Sequence, residues 1–245
     1  MEYLYETVDR NYEDFASGRV LYNARGTTAF PVRLASEIAQ RCMGFLESKG
    51  VSGPYSVYDP CCGGAYLLTV IGLLHGGRVD RVYASDVNAE VLGVADKNLS
   101  LLTPGGLGER RAELGRLFEL YGKASHRDAV ASADRLGSLL AGSRIESVET
   151  FAADITKPGE VPPEQCRDVN LVITDLPYGD IVSWTGDSAD PVNDLFELAY
   201  ERMAPSRSVL AIIADKSQKL RHDKFKRLQS VKIGKRVFGI FEPIV

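Results

Sequence analysis

The sequence predicts an α/β fold: a mostly parallel, seven-stranded sheet with a C-terminal antiparallel hairpin and a helical insertion. Three observations predict it. Short apolar runs alternate with segments of helical period from about residue 32 onward. A glycine-containing stretch, Cys61-Cys62-Gly63-Gly64, joins the first such run to the helix after it, as the first βα turn of a doubly wound sheet does. Acidic residues follow four of the runs, at Asp59, Asp86, Asp154 and Asp175, where open α/β sheets bind their ligands.

Residues 33–47 carry Leu34, Ile38, Met43 and Phe45 at broadly helical spacing and predict a helix ahead of the first strand. A strand follows over 55–58, then the loop 59–64 and an apolar helix over 65–75 that Gly76-Gly77 stops. The next strand is predicted over 79–85 and the next helix over 89–102, ended by Pro104-Gly105-Gly106. Residues 104–146 then break the alternation. They are too many for an ordinary connection and too rich in Leu, Ala and Arg for a disordered one, so they predict two inserted helices, 109–121 and 125–140, within a single domain spanning 1–245. Strands resume over 147–151, 170–174 and 208–214, with a helix over 192–203. Gly234-Lys235 between 229–233 and 236–241 marks the hairpin.

A chain of 245 residues, 44% hydrophobic and 25% charged, has a globular composition with material for a substantial core. Met1 to Arg10 has no basic leader pattern, and no apolar stretch approaches the ~18 residues of a membrane span. A soluble, cytoplasmic and monomeric protein is the expectation. Cys42, Cys61, Cys62 and Cys166 lack Cys-x-x-Cys spacing, and His75, His126 and His222 are not paired at a ligand interval; neither a metal centre nor a disulfide framework is expected. The formal net charge of −4 argues against indiscriminate binding of nucleic acid. It conceals an asymmetry: residues 216–236 hold nine Lys and Arg against Asp223 alone, while Glu2, Glu6, Asp9, Glu13 and Asp14 face only Arg10 within residues 1–14. A basic cluster is the electrostatic footprint of phosphate contact, and equally the composition of a solvated face.

The apolar run Leu171-Val172-Ile173-Thr174 ends in Asp175-Leu176-Pro177-Tyr178-Gly179. A carboxylate at that strand end can accept hydrogen bonds from an exocyclic amine, Pro177 turns the chain, and Tyr178 offers a flat face for a base. The stretch resembles the Asp/Asn-x-Pro-Tyr/Phe motif of methyltransferases that modify nucleobase nitrogens. Gly63 and Gly64 let backbone approach a ligand. Their spacing is not G-x-G-x-x-G and no basic residue is placed for a pyrophosphate, which disfavours a dinucleotide. Asp86, 27 residues after Asp59, is placed for the two hydroxyls of a ribose, and Asp154 for an adenine amine. Singly each could cap a helix. Together they favour S-adenosylmethionine.

Phe30-Pro31-Val32-Arg33-Leu34, Asp59-Pro60-Cys61-Cys62-Gly63, Tyr66-Leu67-Leu68-Thr69-Val70, Ala84-Ser85-Asp86-Val87 and Thr174-Asp175-Leu176-Pro177-Tyr178-Gly179 resemble the AviRa-type 23S ribosomal RNA methyltransferases. The likeness runs from about residue 20 to the end and includes Gly122-Lys123 and Lys232-Ile233-Gly234. It implies a class I methyltransferase fold, and a guanine of the peptidyl-transferase region as target, in 23S rRNA or a large-subunit precursor. It further favours methylation at N1, with N2 left open by the residues, and implies protection of the ribosome from orthosomycin antibiotics. Taken together, the strand-end reading and the resemblance put the cofactor contacts at Phe30, Arg33, Asp59, Cys61, Gly63, Gly64, Asp86, Asp154 and Asp175, and the catalytic group at Asp175, Pro177 and Tyr178. RNA contacts are expected at Lys123, Lys216, Lys219, Arg221, Lys224 and Lys226. One departure stands out: Gly64-Ala65 occupies the place of a small residue followed by Gly, so Gly64 is expected to re-register the turn. From the residues themselves, a different nucleobase in tRNA, rRNA or DNA stays open as substrate, as does a catalytically silent RNA-binding protein.

Overall fold

A computed structural model describes residues 2–24, 29–157, 159–161, 166–177, 184 and 188–245. After an irregular N-terminal segment come α1 (Val32–Ser48), β1 (Tyr55–Asp59), α2 (Tyr66–His75), β2 (Val79–Asp86) and α3 (Ala89–Ser100). Two helices follow, α4 (Pro104–Tyr121) and α5 (Ala124–Leu140), then β3 (Ser147–Ala152), β4 (Leu171–Asp175), α6 (Pro191–Arg202) and β5 (Val209–Asp215). The hairpin β6 (Phe225–Ile233) and β7 (Arg236–Pro243) completes the chain's order of elements. The sheet runs β3-β2-β1-β4-β5-β7-β6. Its first five strands are parallel, and β7 lies antiparallel to both neighbours.

β1, β4 and β5 sit in the middle of the sheet and are buried almost throughout, which is why they read as continuous apolar runs rather than alternating ones. Alternate side chains serve two cores. Val209, Ala211 and Ile213 of β5 join the cluster under α1 and α2, whereas Leu210, Ile212 and Ala214 join the cluster under α6. Between β1 and β4 the strand order reverses, opening the crevice at the carboxyl edge where doubly wound sheets take their ligands.

Two boundaries differ from those the sequence predicts. Pro104-Gly105-Gly106 opens α4 instead of closing α3, because Thr103 caps it, its hydroxyl accepting the Gly106 N–H at 3.1 Å, and Pro104 occupies the first turn, where no N–H is needed. β6 begins at Phe225 rather than 229: Phe225 is anchored in the α6-side core, and pairing with β7 continues across a bulge between Arg227 and Gln229.

The N-terminal segment has little regular structure yet is tightly held. Glu37 of α1 is fully buried, and its carboxylate accepts the backbone N–H groups of Leu4, Tyr5 and Glu6 at 2.7–2.9 Å together with Arg41 Nε at 2.7 Å. Burial opposes ionisation there, but the amides and the guanidinium outweigh it and hold the carboxyl below the usual range. Glu6 in turn accepts the Ser36 and Tyr12 hydroxyls, Asp14 accepts Arg135 and the Ser132 hydroxyl of α5, and Tyr66 of α2 donates to Phe15 O. The segment therefore straps α1, α2 and α5 together. A depressed carboxyl contributes stability that is complete above its unfolded value of 4.5 and lost as pH falls through the lower folded value. Glu37→Gln should accordingly cost about 3–5 kcal/mol at pH 7, the scale for breaking a buried ion pair, and should flatten the pH dependence of stability below pH ~4.5; urea titrations that coincide with those of the parent would refute the strap.

Candidate functional site

Three of the acidic side chains converge where β1, β2 and β4 end. Asp59 closes β1 and Asp86 closes β2, with Asp59 paired in register to Ala84, while Asp175 closes β4 opposite Ile213 of β5. The loop after β1 is folded onto the first two. Asp59 Oδ1 accepts the Cys61 N–H at 3.0 Å, Asp86 Oδ2 accepts the Gly63 N–H at 2.9 Å, and the Cys62 N–H reaches Ser85 O at 2.9 Å. Asp86 Oδ1 takes the Asn88 N–H at 2.9 Å, so each oxygen of this half-buried carboxylate retains a lone pair for a further donor.

Gly63 and Gly64 have different tasks. Gly63 has φ +51° and open space where a Cβ would stand, so main chain is bared to an approaching ligand. Gly64 is packed: a Cβ there would lie 2.9 Å from Ala24 Cβ, and its carbonyl accepts Asn98 Nδ2 at 2.8 Å. Nor does Gly64 re-register the turn. Gly63 and Ala65 take the left-handed conformation, Ala65 with φ 54° at a cost of about 1–2 kcal/mol, held there by its N–H to Cys62 O at 2.7 Å.

Asp59 is 2% exposed and its carboxyl is pushed up to about 7. Burial is the main cause; Thr174 and the Cys61 amide oppose it, and the negative charges of Asp175 and Asp86 add to it. Asp175 has a cationic neighbour in Arg236 of β7, Nη1 to Oδ2 3.9 Å, and the same guanidinium lies 5.7 Å from the ring centre of Phe30. Phe30 thereby borders the Asp175 side of the crevice. Pro177 is half-buried beyond Leu176, whose N–H is bonded to Ile213 O at 2.9 Å. Tyr178 lies outside the described residues.

Other candidates are placed differently from expectation. Arg33 is turned to the N-terminal strap: Nε and Nη2 donate to Glu6 O, Nη1 pairs with Asp9, and its plane covers the Tyr3 ring. It fastens that segment to α1. Asp154 is buried, and its carboxylate accepts the Thr156 hydroxyl at 2.6 Å, the Thr156 N–H at 3.0 Å and Lys157 at 3.2 Å. Those three donors of its own turn fix its carboxylate at the end of β3. Lys224 is paired with Glu197, and Lys226 with Glu242 at 3.2 Å. Both stand near Pro243, at the amino edge of the sheet, the opposite end from Asp175. Lys123 caps α5 at the tip of the helical pair, beside the Tyr121 ring. Sequence reasoning missed two residues: Arg236, whose signal was its place immediately after the hairpin turn, and Asn98, a buried amide in the last turn of α3 that accepts Tyr22 N–H and donates to Tyr22 O and Gly64 O.

A carboxyl raised by burial weakens folding as pH climbs from its unfolded value of 3.8 toward its folded value of about 7. Asp59→Asn keeps the acceptor for Cys61 and removes the buried charge. The variant should melt above the parent at pH 8, with the difference closing as pH falls to 4; identical midpoints at both pH values would contradict a strained Asp59 carboxylate.

Comparison with known proteins identifies the family. A family model described as rRNA methyltransferase AviRa matches residues 1–236. The 23S rRNA (guanine(2535)-N(1))-methyltransferase of Streptomyces viridochromogenes is 39% identical over 233 residues, which is 91% of this chain and 88% of that one. A solved structure of rRNA methyltransferase aviRa from the same organism superposes with TM-score 0.86 at 37% identity, covering 98% of this chain and 96% of that one. TrmN from Thermus thermophilus, 14% identical with TM-score 0.51 over 90% of this chain and 51% of that one, shares the fold. The family model spans the crevice and the sheet as far as β6 and the start of β7, and the chain belongs to the AviRa family of rRNA methyltransferases.

Proposed function

We propose that this enzyme transfers the methyl group of S-adenosylmethionine to N1 of a guanine in 23S rRNA. The carrying observation is the convergence of Asp86, Gly63 and Asp175 on one crevice, in a chain 39% identical to a relative named for that reaction. The crevice fits the cofactor. Gly63 bares main chain where a side chain would otherwise stand, and Asp86 keeps acceptor capacity for ribose hydroxyls. When bound, the cofactor supplies an electrophilic methyl group on a sulfonium.

The chain's own residues do the remaining work. A guanine edge carries two adjacent donors, N1–H and the N2 amine, and the carboxylate of Asp175 can accept from both. N1 must lose its proton as it is methylated, and Asp175 is the acceptor at hand. Arg236, 3.9 Å away on β7, holds that carboxylate from the hairpin side. Pro177 turns the chain beyond the strand end, and Tyr178 follows as the stacking surface that the motif supplies. Catalysis here is chiefly positioning, with the nucleophile held in line with the methyl group.

Asp175→Asn preserves the shape of the side chain and removes its basicity. It should lower turnover by ~10²–10⁴, the range for a general base, and leave cofactor affinity by calorimetry close to that of the parent. Primer extension on 23S rRNA methylated by the parent should stop at one guanine, because an N1 methyl blocks pairing, and the stop should vanish with the variant. Normal turnover by Asp175→Asn would remove Asp175 from the chemistry, and methyl incorporation without a stop would move the target to N2.

A further inference from the structure

On the α6 face of the sheet, residues 216–221 lie against the β6–β7 hairpin and enclose a groove of about 420 Å³. Lys216, Lys219 and Arg221 form one wall, Arg227, Ser230 and Lys232 the other, over a floor of Val237, Gly239 and Phe241. Every charged residue lining it is basic. None of these five cations makes an ion pair within 4 Å among the described residues, whereas Lys224 and Lys226 each do.

The fold builds this groove deliberately by local means. In an uninterrupted strand Arg227 would face away from Ser230 and Lys232. The bulge between Arg227 and Gln229 rephases the strand, so that Arg227, Ser230 and Lys232 sit opposite Phe241, Gly239 and Val237 on one face. Gly239 keeps the floor low, since a Cβ there would meet the Phe241 ring at 2.6 Å. On the other wall, Leu220 is buried in the α6-side core and pins the loop, while Lys219 and Arg221 beside it stay exposed. The Asp215 carboxylate, accepting the Ser217 N–H and hydroxyl, and the Lys216 N–H bonded to Lys235 O, fasten the loop to the hairpin turn.

The groove has a direction. Ile213 of β5 pairs with Asp175 on one side and with Phe238 on the other, and Asp215 pairs with Arg236. The hairpin turn therefore stands at the edge that carries Asp175, and the groove leads from there along β6 toward the opposite edge. From Arg227 to Lys232 it follows roughly 15 Å of strand at ~3.3 Å per residue, long enough to engage more than one phosphate.

We propose that this groove seats the phosphate backbone of the single RNA strand that flanks the target guanine, with Lys216, Lys219, Arg221, Arg227 and Lys232 as its phosphate contacts. The proposal rests on the reading of the crevice as a base-methylating site, and it assigns no role in RNA docking to Lys224 and Lys226. Two variants separate these claims: Lys219→Ala/Arg227→Ala/Lys232→Ala, and Lys224→Ala/Lys226→Ala. Binding of a 23S rRNA fragment containing the target is followed by fluorescence anisotropy across a potassium chloride series, and cofactor affinity by calorimetry. The triple variant should lose about 2 from the log–log salt slope, at ~0.7 per lost contact on a single strand, with cofactor affinity unchanged, and the double variant should keep the parent's slope. A triple variant with the parent's slope, or a double variant that loses as much, overturns the groove. If the parent binds the fragment with a slope that the triple variant loses, yet transfers no methyl group to it, the base-methylating reading fails and the groove stands.

Discussion

Carboxylates gathered on one edge of a parallel sheet repel one another, and much of the architecture around the crevice is what keeps them there. Each is accommodated by a different element. Asp86 is held by amides of the glycine loop and of its own turn, and Asp154 by Thr156 and Lys157. Asp175 has Arg236, delivered by an antiparallel strand from the far end of the sequence. Asp59, the deepest, has no cation among its described ion pairs and responds by taking up a proton near neutral pH. The hairpin that distinguishes this sheet from the dinucleotide-binding arrangement is therefore part of the site: without β7 the β4 carboxylate would lose its positive neighbour.

The second support comes from a segment with almost no regular structure. Asn98 joins Tyr22 to Gly64, so the N-terminal strap presses directly on the loop whose next residue, Ala65, carries backbone strain. Strained loops persist only where their surroundings over-determine them. Here Ala24 fills the space against Gly64, and the strap is anchored in turn by the buried Glu37 carboxylate and its three amides. The acidic character of residues 1–14, legible in the sequence only as a counterweight to the basic cluster, is spent locally. Glu6 binds Ser36 and Tyr12, Asp9 pairs with Arg33, and Asp14 pairs with Arg135.

What the sequence disclosed was whatever depends on neighbours in the chain. Apolar runs located the strands, the stop after Leu73-Leu74-His75 located the end of α2, and the acidic residues after the runs located the edge of the sheet. Turn chemistry was ambiguous where one residue type signals both a stop and a start, as at Pro104. Long-range pairing was invisible. Lys224 and Lys226 look like Lys216 and Lys219 in a linear count of charge, and only the fold shows the first two neutralised by Glu197 and Glu242. Arg33 stands in a matching motif and Asp154 after a predicted strand, and the partners both side chains meet within the chain were not legible, because sequence position fixes where a residue enters the fold and not what its side chain meets.

The net charge of −4 and an RNA substrate are reconciled by the same distinction. Electrostatic attraction to a polyanion acts over a Debye length of about 8–10 Å at physiological salt, so it is the local field, not the sum over the chain, that decides where RNA rests. Cations at the amino edge of the hairpin are cancelled by adjacent carboxylates; those that line the groove make no ion pair among the described residues. A uniformly basic surface would hold RNA in many registers with comparable strength. Confining such charge to one channel that starts at the sheet edge carrying Asp175 penalises the others, and turns a non-specific attraction into a means of presenting one base to the carboxylate.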